Sequence, residues 1–268
     1  NFDFISFKED IHAWVRAYDN IFDNAVYAIP EHKEEALNKR RIGLGLTGIA
    51  NAIEYILNRP SYGEEDFCSI LDTVSEVLMR EAYRASIQLA KERGAFPLFQ
   101  KEYLESKFIE RLPQDIQSSI NINGIRNSHL ISYAPCGTIS QCAGNISSGV
   151  EPVFYNSMNR DVYMKEGKVN VTLNDYNFRE YQFRGKTLNE CSIKDHMAVA
   201  ETVQRYCDSS ISRTVNVAAN CSYEEYEQVY IQAYKLGLKG ITVYRPSEIR
   251  GAVITEAPSN CVNGACSL

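Results

Sequence analysis

Apolar residues recur at helical spacing in three stretches of the chain. The first runs from Ser6 to Pro30 and opens with a capping-box pattern, in which Ser6 is the N-cap and a glutamate follows three residues later. The second extends from Gly63 to Arg93, and the third from Asp195 to Cys207. The pattern predicts three amphipathic helices, and it places Trp14 on the buried face of the first.

Shorter apolar runs predict strands. His129–Tyr133 is predicted as a short buried strand, and the alternating residues of 161–171 as a hairpin. Near the end of the chain, Arg213–Val217 and Lys239–Tyr244 flank a helical stretch that opens with the capping-box pattern of Ser222–Glu225. These last three segments predict a β-α-β unit with parallel strands, which makes the chain an α/β protein.

Three glycines lie close together in the segment 40–48. Gly43, Gly45 and Gly48 match the glycine spacing of dinucleotide-binding loops, but no acidic ribose-binding residue follows at a suitable distance. The motif is therefore a weak nucleotide signal. The spacing favours a strand whose glycines allow it to pass close to a packed neighbour.

Charge and composition narrow the possible partners. The 268 residues carry a formal net charge of -6 and no basic run, which argues against a nucleic-acid partner. No apolar run is long enough for a membrane span, and no signal peptide is visible, although the sequence begins without an initiator Met. Six of the eight cysteines are scattered through ordinary segments, which favours reduced thiols and a cytoplasmic location.

A loop of small residues, Ala134–Ser140, follows the first predicted strand. Backbone N–H groups can converge on an anion in such a loop because few side chains stand in the way. Pro135 fixes the exit from the strand, and Gly137 lets a ligand approach the backbone. Thr138 and Ser140 add hydroxyl donors. On composition alone an ordinary surface loop is the better interpretation, but the position directly after an apolar strand favours a ligand site.

This loop also carries a family resemblance. Ala134–Ser140, followed by Ser148-Gly-Val-Glu-Pro152, resembles the substrate-phosphate loop of the ribonucleotide reductase catalytic subunit. The family's common form is Ala-Pro-Thr-Gly-Thr-Ile-Ser, so Cys136 replaces a hydroxyl residue and costs one hydroxyl donor while the backbone donors remain. The resemblance implies a substrate-binding role for Ala134, Pro135, Cys136, Gly137, Thr138, Ile139 and Ser140.

The resemblance extends over nearly the whole chain, because segments 208–216 and 238–245 also look like reductase segments. It implies the second half of a ten-stranded α/β barrel over residues 1–250 and a flexible C-terminal tail over 251–268. In the family a thiyl-radical cysteine lies in an Asn-x-Cys-x-Glu motif, which this sequence lacks. The expected activity is the reduction of ribonucleotides, as diphosphates, to 2′-deoxyribonucleotides, in association with a chain that carries the other half of the barrel; whether that half is naturally a separate polypeptide is left open by the sequence.

The tail contains the pair Cys261 and Cys266 among small and polar residues. A Cys-x4-Cys pair on a flexible terminus can close a disulfide and exchange it with another dithiol. Half of a zinc site is the alternative, but two further ligands are missing, and no second histidine lies at metal-site spacing from His196. The resemblance implies a redox-active pair that re-reduces the active site and is itself reduced by a thioredoxin- or glutaredoxin-like protein.

The residues at positions 243 and 244, Val and Tyr, indicate the source of the radical. In the iron-dependent reductases two adjacent tyrosines occupy these positions and relay a radical from a second subunit. Here the pair is broken, and the chain resembles the adenosylcobalamin-dependent class most closely, so adenosylcobalamin is the expected cofactor. An iron-dependent large subunit stays open as the alternative, as does a non-catalytic barrel half or a thiol-disulfide exchange module.

Overall fold

The computed structural model describes residues 2–164, 167–245, 254–256, 261–262 and 265–266. For residues 160–164, residue 168 and the residues beyond 245 it describes the backbone only. The nine α-helices of this part of the chain are Phe4–Asn24 (α1), Pro30–Lys39 (α2), Ile49–Leu57 (α3), Glu65–Arg93 (α4), Gln114–Asn123 (α5), Gly137–Cys142 (α6), Tyr176–Tyr181 (α7), Ile193–Gln204 (α8) and Tyr223–Lys235 (α9). Its strands are Ser157–Met164 (β1), Gly167–Asn174 (β2), Thr214–Asn216 (β3), Thr242–Tyr244 (β4), Ile254–Glu256 (β5), Cys261–Val262 (β6) and Ala265–Cys266 (β7).

The first helix differs from its prediction at both ends. Its N-cap is Asp3 rather than Ser6, because the Asp3 carboxylate accepts the backbone N–H groups of Ile5 and Ser6. The helix ends at Asn24, and Pro30 begins α2 instead of stopping α1. The prediction for Trp14 was wrong as well, since its side chain is 54% exposed.

The long helix α4 was predicted correctly and forms the centre of the main core. Gly94 ends it, and fourteen of its residues are buried. Most of its buried residues belong to one apolar cluster that also contains residues of α1, α3 and α8. No helix in the described ranges is long and apolar enough to cross a membrane.

Four extended segments lie side by side and run parallel. Leu44 bridges Ile131, Tyr133 bridges Ile211, and β3 pairs with β4. The β3-α9-β4 unit was predicted from the sequence, including the capping box at Ser222, and is confirmed. The array therefore places the carboxyl ends of neighbouring segments at one edge, where the small-residue loop also begins.

The glycines between 43 and 48 serve close packing, as predicted. A Cβ added at Gly43 would lie 2.8 Å from the Cβ of Ser132, and one added at Gly45 would lie 2.6 Å from the carbonyl oxygen of Ser132. Gly48 has a different role, because it takes a φ of +75° as the N-cap of α3. The first two glycines let the first two parallel segments approach each other.

The predicted hairpin is present as β1 and β2, which pair antiparallel. Strand β5 adds to the other side of β1, so part of the segment 251–268 belongs to this sheet. Cys261 and Cys266 are backbone partners in the two-stranded ladder of β6 and β7. The predicted flexibility of the tail and the state of its two thiols lie outside the described residues.

Candidate functional site

The small-residue loop at the carboxyl end of the second parallel segment contains a short helix that the sequence analysis missed. We call residues 134–140 the outer arm and residues 147–151 the inner arm. The outer arm enters α6 at Gly137, and the first internal bond joins the Ser140 N–H to the Cys136 carbonyl at 2.8 Å. The first N–H groups of a helix lack internal partners, so those of Gly137, Thr138 and Ile139 remain available.

The hydroxyl groups of the outer arm point in different directions. Thr138 is exposed. Ser140 is buried, and its hydroxyl donates to the carbonyl of Gly137 at 2.9 Å, so it is not the outward donor that the sequence suggested. A Cβ added at Gly137 would meet no atom within 4 Å, which leaves open space beside this backbone. The outer arm thus presents backbone donors and one hydroxyl.

A cavity of about 320 Å³ adjoins the outer arm. Ala134, Pro135 and Gly137 form one wall, and part of the inner arm forms a second. Ser212, Thr214 and Asn216 form a third, since alternate residues of an extended segment share one face. The intervening Val215 is buried in the second apolar cluster. The cavity therefore combines apolar surface with hydroxyl and amide groups.

The inner arm is held from behind by the turn before α3. The Thr47 hydroxyl donates to the Ser147 carbonyl at 2.8 Å and accepts the Gly149 N–H at 3.2 Å. The Gly48 N–H donates to the same Ser147 carbonyl at 2.7 Å. One threonine and one tight turn therefore fix the backbone of the inner arm.

Asn51 adds a second, buried attachment. Its side-chain oxygen accepts the Ser147 N–H at 2.6 Å, and its amide nitrogen donates to both carboxylate oxygens of Asp175 at 2.9 Å. Burial raises the pKa of the Asp175 carboxyl, and the bonds from Asn51 partly offset that rise. The sequence analysis missed this contact, because Asn51 and Asp175 are 124 positions apart.

Cys136 faces this scaffold. Its sulfur lies 3.3 Å from the Thr47 hydroxyl and 3.5 Å from the Ser148 hydroxyl. The thiol is not among the groups that line the 320 Å³ cavity. At position 136, where the family commonly has a threonine, the side chain therefore faces Thr47 and Ser148 and not the cavity.

Behind the inner arm lies a buried group of polar side chains. Arg213, whose side chain is fully buried, donates to the Val150 carbonyl at 3.1 Å and also contacts the Glu151 carboxylate. Its other terminal nitrogen contacts His196 Nδ1. Burial lowers the pKa of His196 to about 3, and the nearby Arg213 adds to the effect. His196 is thus a buried neutral residue, satisfied on one ring nitrogen.

Sequence reasoning gave His196 no role and did not single out Arg213. The available signal was Glu151 in the Ser-Gly-Val-Glu-Pro segment, a carboxylate among small residues that requires a partner when buried. Within the described ranges, no group of three or more His, Cys, Asp or Glu residues could hold a metal ion.

Parallel segments that end at a small-residue loop beside a cavity define an α/β protein whose candidate site lies at the carboxyl edge of the strands. Comparison with known families makes the assignment specific. The chain matches the family model of the ribonucleotide reductase barrel domain over residues 1–244, and it belongs to that family.

Curated relatives agree with this assignment. The chain is 30% identical over 270 residues to a vitamin B12-dependent ribonucleoside-diphosphate reductase of Mycobacterium tuberculosis, covering 91% of this chain and 36% of the relative. The corresponding protein of Thermoplasma acidophilum is 28% identical, with 94% and 34% covered. A ribonucleoside-diphosphate reductase subunit alpha of Treponema pallidum is 22% identical, with 90% and 29% covered. The chain thus spans about a third of the length of these relatives.

Proposed function

We propose that this chain forms the C-terminal half of the barrel of a ribonucleotide reductase and supplies the site that holds the substrate diphosphate. One observation carries the proposal. The outer arm presents free backbone donors beside a cavity on the carboxyl edge of the parallel segments: Gly137 lines that cavity, and the exposed Thr138 follows it directly. A diphosphate needs several convergent donors and little side-chain bulk, which is what this arm provides.

The third wall of the cavity suits the rest of a nucleotide. Ser212, Thr214 and Asn216, whose side chains carry two hydroxyls and one amide, line the same cavity. Such groups can donate to and accept from the hydroxyls of a ribose. The proposed substrate is therefore a ribonucleoside diphosphate whose phosphates lie on the outer arm.

The cofactor proposed for the complete enzyme is adenosylcobalamin. Two relatives carry vitamin B12 dependence in their names, and Val243 packs against the second apolar cluster where a relay tyrosine would otherwise stand. When bound, the cofactor supplies the initial radical. A second cavity, between α1 and the loop, measures about 470 Å³ and, among the described residues, carries no group that identifies it as a cobalamin site. We therefore assign no step of the reaction to cobalamin-contacting residues.

The reaction also needs a thiyl radical and two electrons. The sequence contains no Asn-x-Cys-x-Glu motif, so the radical cysteine comes from the other half of the barrel. The 2′-hydroxyl leaves as water and a hydrogen takes its place on C2′, while an active-site dithiol supplies the two electrons and two protons and becomes a disulfide. Thiolates of Cys261 and Cys266 then reduce that disulfide by exchange and become a disulfide themselves, which a thioredoxin- or glutaredoxin-like dithiol reduces.

Reconstitution tests this proposal. The purified chain is assayed for reduction of a ribonucleoside diphosphate with adenosylcobalamin and a dithiol, first alone and then with a chain that carries the first half of the barrel. We expect turnover only in the second case. Replacement of Cys261 by Ser should stop repeated turnover fed by a protein dithiol and spare a single turnover of pre-reduced enzyme. Turnover by the chain alone would refute the division of the barrel, and unimpaired repeated turnover in the variant would refute the role of the tail.

A further inference from the structure

An acidic side chain stands in the wall of the cavity to which the proposed function assigns a diphosphate. Glu151 lines this cavity, and its side chain is 17% exposed. One carboxylate oxygen accepts the Thr214 N–H at 3.4 Å. An uncompensated carboxylate at this position would repel a phosphate across a poorly solvated space.

Arg213 lies directly behind this carboxylate. The guanidinium contacts Glu151 with the same terminal nitrogen that donates to the Val150 carbonyl, so one group holds both the charge and the backbone of the inner arm. Its plane is supported by Tyr62, whose ring centre lies 5.7 Å from the guanidinium carbon. The Tyr62 hydroxyl donates to the same Val150 carbonyl at 2.5 Å.

His196 completes the arrangement. Because its Nδ1 contacts a guanidinium, which can only donate, that nitrogen is an acceptor and the imidazole is neutral. A neutral partner lets Arg213 keep its positive charge for Glu151. Neither His196 Nε2 nor Arg213 Nε has a hydrogen-bond partner among the described residues, although both are buried.

We propose that Arg213 is a positioning residue that cancels the charge of Glu151 in the cavity wall and thereby allows the site to accept an anionic ligand. This inference rests on the proposed function, since it takes the ligand to be a nucleoside diphosphate. It explains why a site for an anion tolerates a glutamate. The glutamate anchors the inner arm, and its charge is neutralised from the side away from the ligand.

The other titratable groups near the pair are few. Lys186 and Asp195 form an ion pair at 3.0 Å. Burial raises the pKa of Tyr62 well above its usual value and that of Cys191 to about 12, so both stay neutral near pH 7. Burial also raises the pKa of Glu54 to about 7. A variant at position 151 is therefore needed to separate Glu151 from Glu54 in any titration.

The test compares binding of a ribonucleoside diphosphate to the complete enzyme from pH 6 to pH 8.5. Arg213→Met should bind about tenfold more weakly than wild type at the upper end, where Glu151 is ionised without a partner. The loss should shrink as the pH falls, because Glu151 then takes up a proton. The double variant Arg213→Met/Glu151→Gln should regain affinity and lose this pH dependence, and Arg213→Lys should retain most of the binding. A loss that is equal at every pH and is not rescued by Glu151→Gln would overturn the proposal.

A second measurement needs no nucleotide. The carboxylic acid band of Glu151 in the infrared spectrum is assigned by its disappearance in Glu151→Gln and followed against pH. Its midpoint should rise in Arg213→Met and stay near the wild-type value in Arg213→Lys, which also serves if the methionine variant folds poorly. An unchanged midpoint would overturn the pairing whatever the binding data show. A raised midpoint in an enzyme that binds no nucleoside diphosphate would refute the proposed function and, with it, the role of the pair in ligand binding.

Discussion

The two arms of the loop are built in opposite ways. The outer arm is largely exposed, and its N–H groups at 137–139 precede the first internal hydrogen bond of α6. The inner arm is buried, and its backbone bonds to Thr47, Asn51 and Arg213. The difference is one of hydrogen bonding: the inner arm uses its backbone groups to fix its own shape, whereas the outer arm leaves donors unpaired, as the proposed function requires. Substitutions of Thr47 and Asn51 behind the inner arm should therefore change stability, whereas those on the outer arm, and of the charged pair at Arg213, should change binding.

The largest effect is expected from Asn51→Ala. The change leaves the buried Ser147 N–H and the buried Asp175 carboxylate without this partner, which costs about 3 kcal/mol of unfolding free energy. Asn121→Ala, at an exposed position of α5, is the matched control and should change stability by no more than about 0.5 kcal/mol. Equal losses in urea titrations of the two variants would show that the inner arm does not depend on Asn51.

The next effect concerns acid stability. The folded-state pKa of His196 is lowered to about 3 from an ordinary value of 6.5, so the unfolded chain binds a proton more readily between these values. Stability is therefore lost as the pH falls through this window, by roughly 2 kcal/mol at pH 5 relative to pH 7.

His196→Gln removes the group that takes up a proton on unfolding, so it should flatten the dependence of the unfolding free energy on pH below 6.5. His32→Gln, at an exposed position, serves as the control and should keep the wild-type slope. A slope in His196→Gln that matches wild type would contradict a buried neutral imidazole behind the inner arm.

A smaller effect, and one on binding alone, is expected from Thr138→Ala. Loss of one hydroxyl donor to a charged acceptor should weaken nucleoside diphosphate binding by about 1 kcal/mol, while the unfolding free energy stays within about 0.5 kcal/mol of wild type. Calorimetric titration measures the first quantity and thermal unfolding the second. Thr73→Ala, an exposed threonine of α4, controls for surface changes. Unchanged affinity in Thr138→Ala would show that the Thr138 hydroxyl does not bind the diphosphate.

The smallest effect is expected from Cys136→Thr. The new hydroxyl would lie near the hydroxyls of Thr47 and Ser148, where the sulfur now lies, so it can keep similar contacts. Stability and diphosphate affinity should both stay within about 0.5 kcal/mol of wild type. A marked loss of affinity would indicate that the side chain at position 136 reaches the ligand and not the scaffold.

Local sequence signals accounted for much of the fold. The capping box at Ser222 and the glycine that ends α4 were predicted because each depends on neighbours in the chain. The close approach at Gly43 and Gly45 was predicted from the residue type alone, although the partner, Ser132, is distant in the sequence. The start of α1 was predicted wrongly because Asp3 and Ser6 are both good capping residues and the aspartate formed the bonds.

The site was only partly predictable for a physical reason. The position of the outer arm follows from the strand that precedes it, but its short helix is too brief to leave a periodic signal. The contacts of the inner arm join residues far apart in sequence, since Arg213 and Glu151 are 62 positions apart. No local sequence pattern predicts such a pair, so the charged group behind the inner arm could be identified only from the three-dimensional structure.

The central claim is that the outer arm holds the substrate diphosphate, and backbone amide resonances test it most directly. Isotopically labelled chain, assembled with the other half of the barrel, is titrated with a ribonucleoside diphosphate and in parallel with the nucleoside alone. The account predicts saturable shifts at Gly137, Thr138 and Ile139 with the diphosphate only, and little change at Ser147 and Gly149, whose N–H groups are already bonded. Unshifted resonances at 137–139, or equal shifts with the nucleoside alone, would contradict the claim that the outer arm holds the diphosphate.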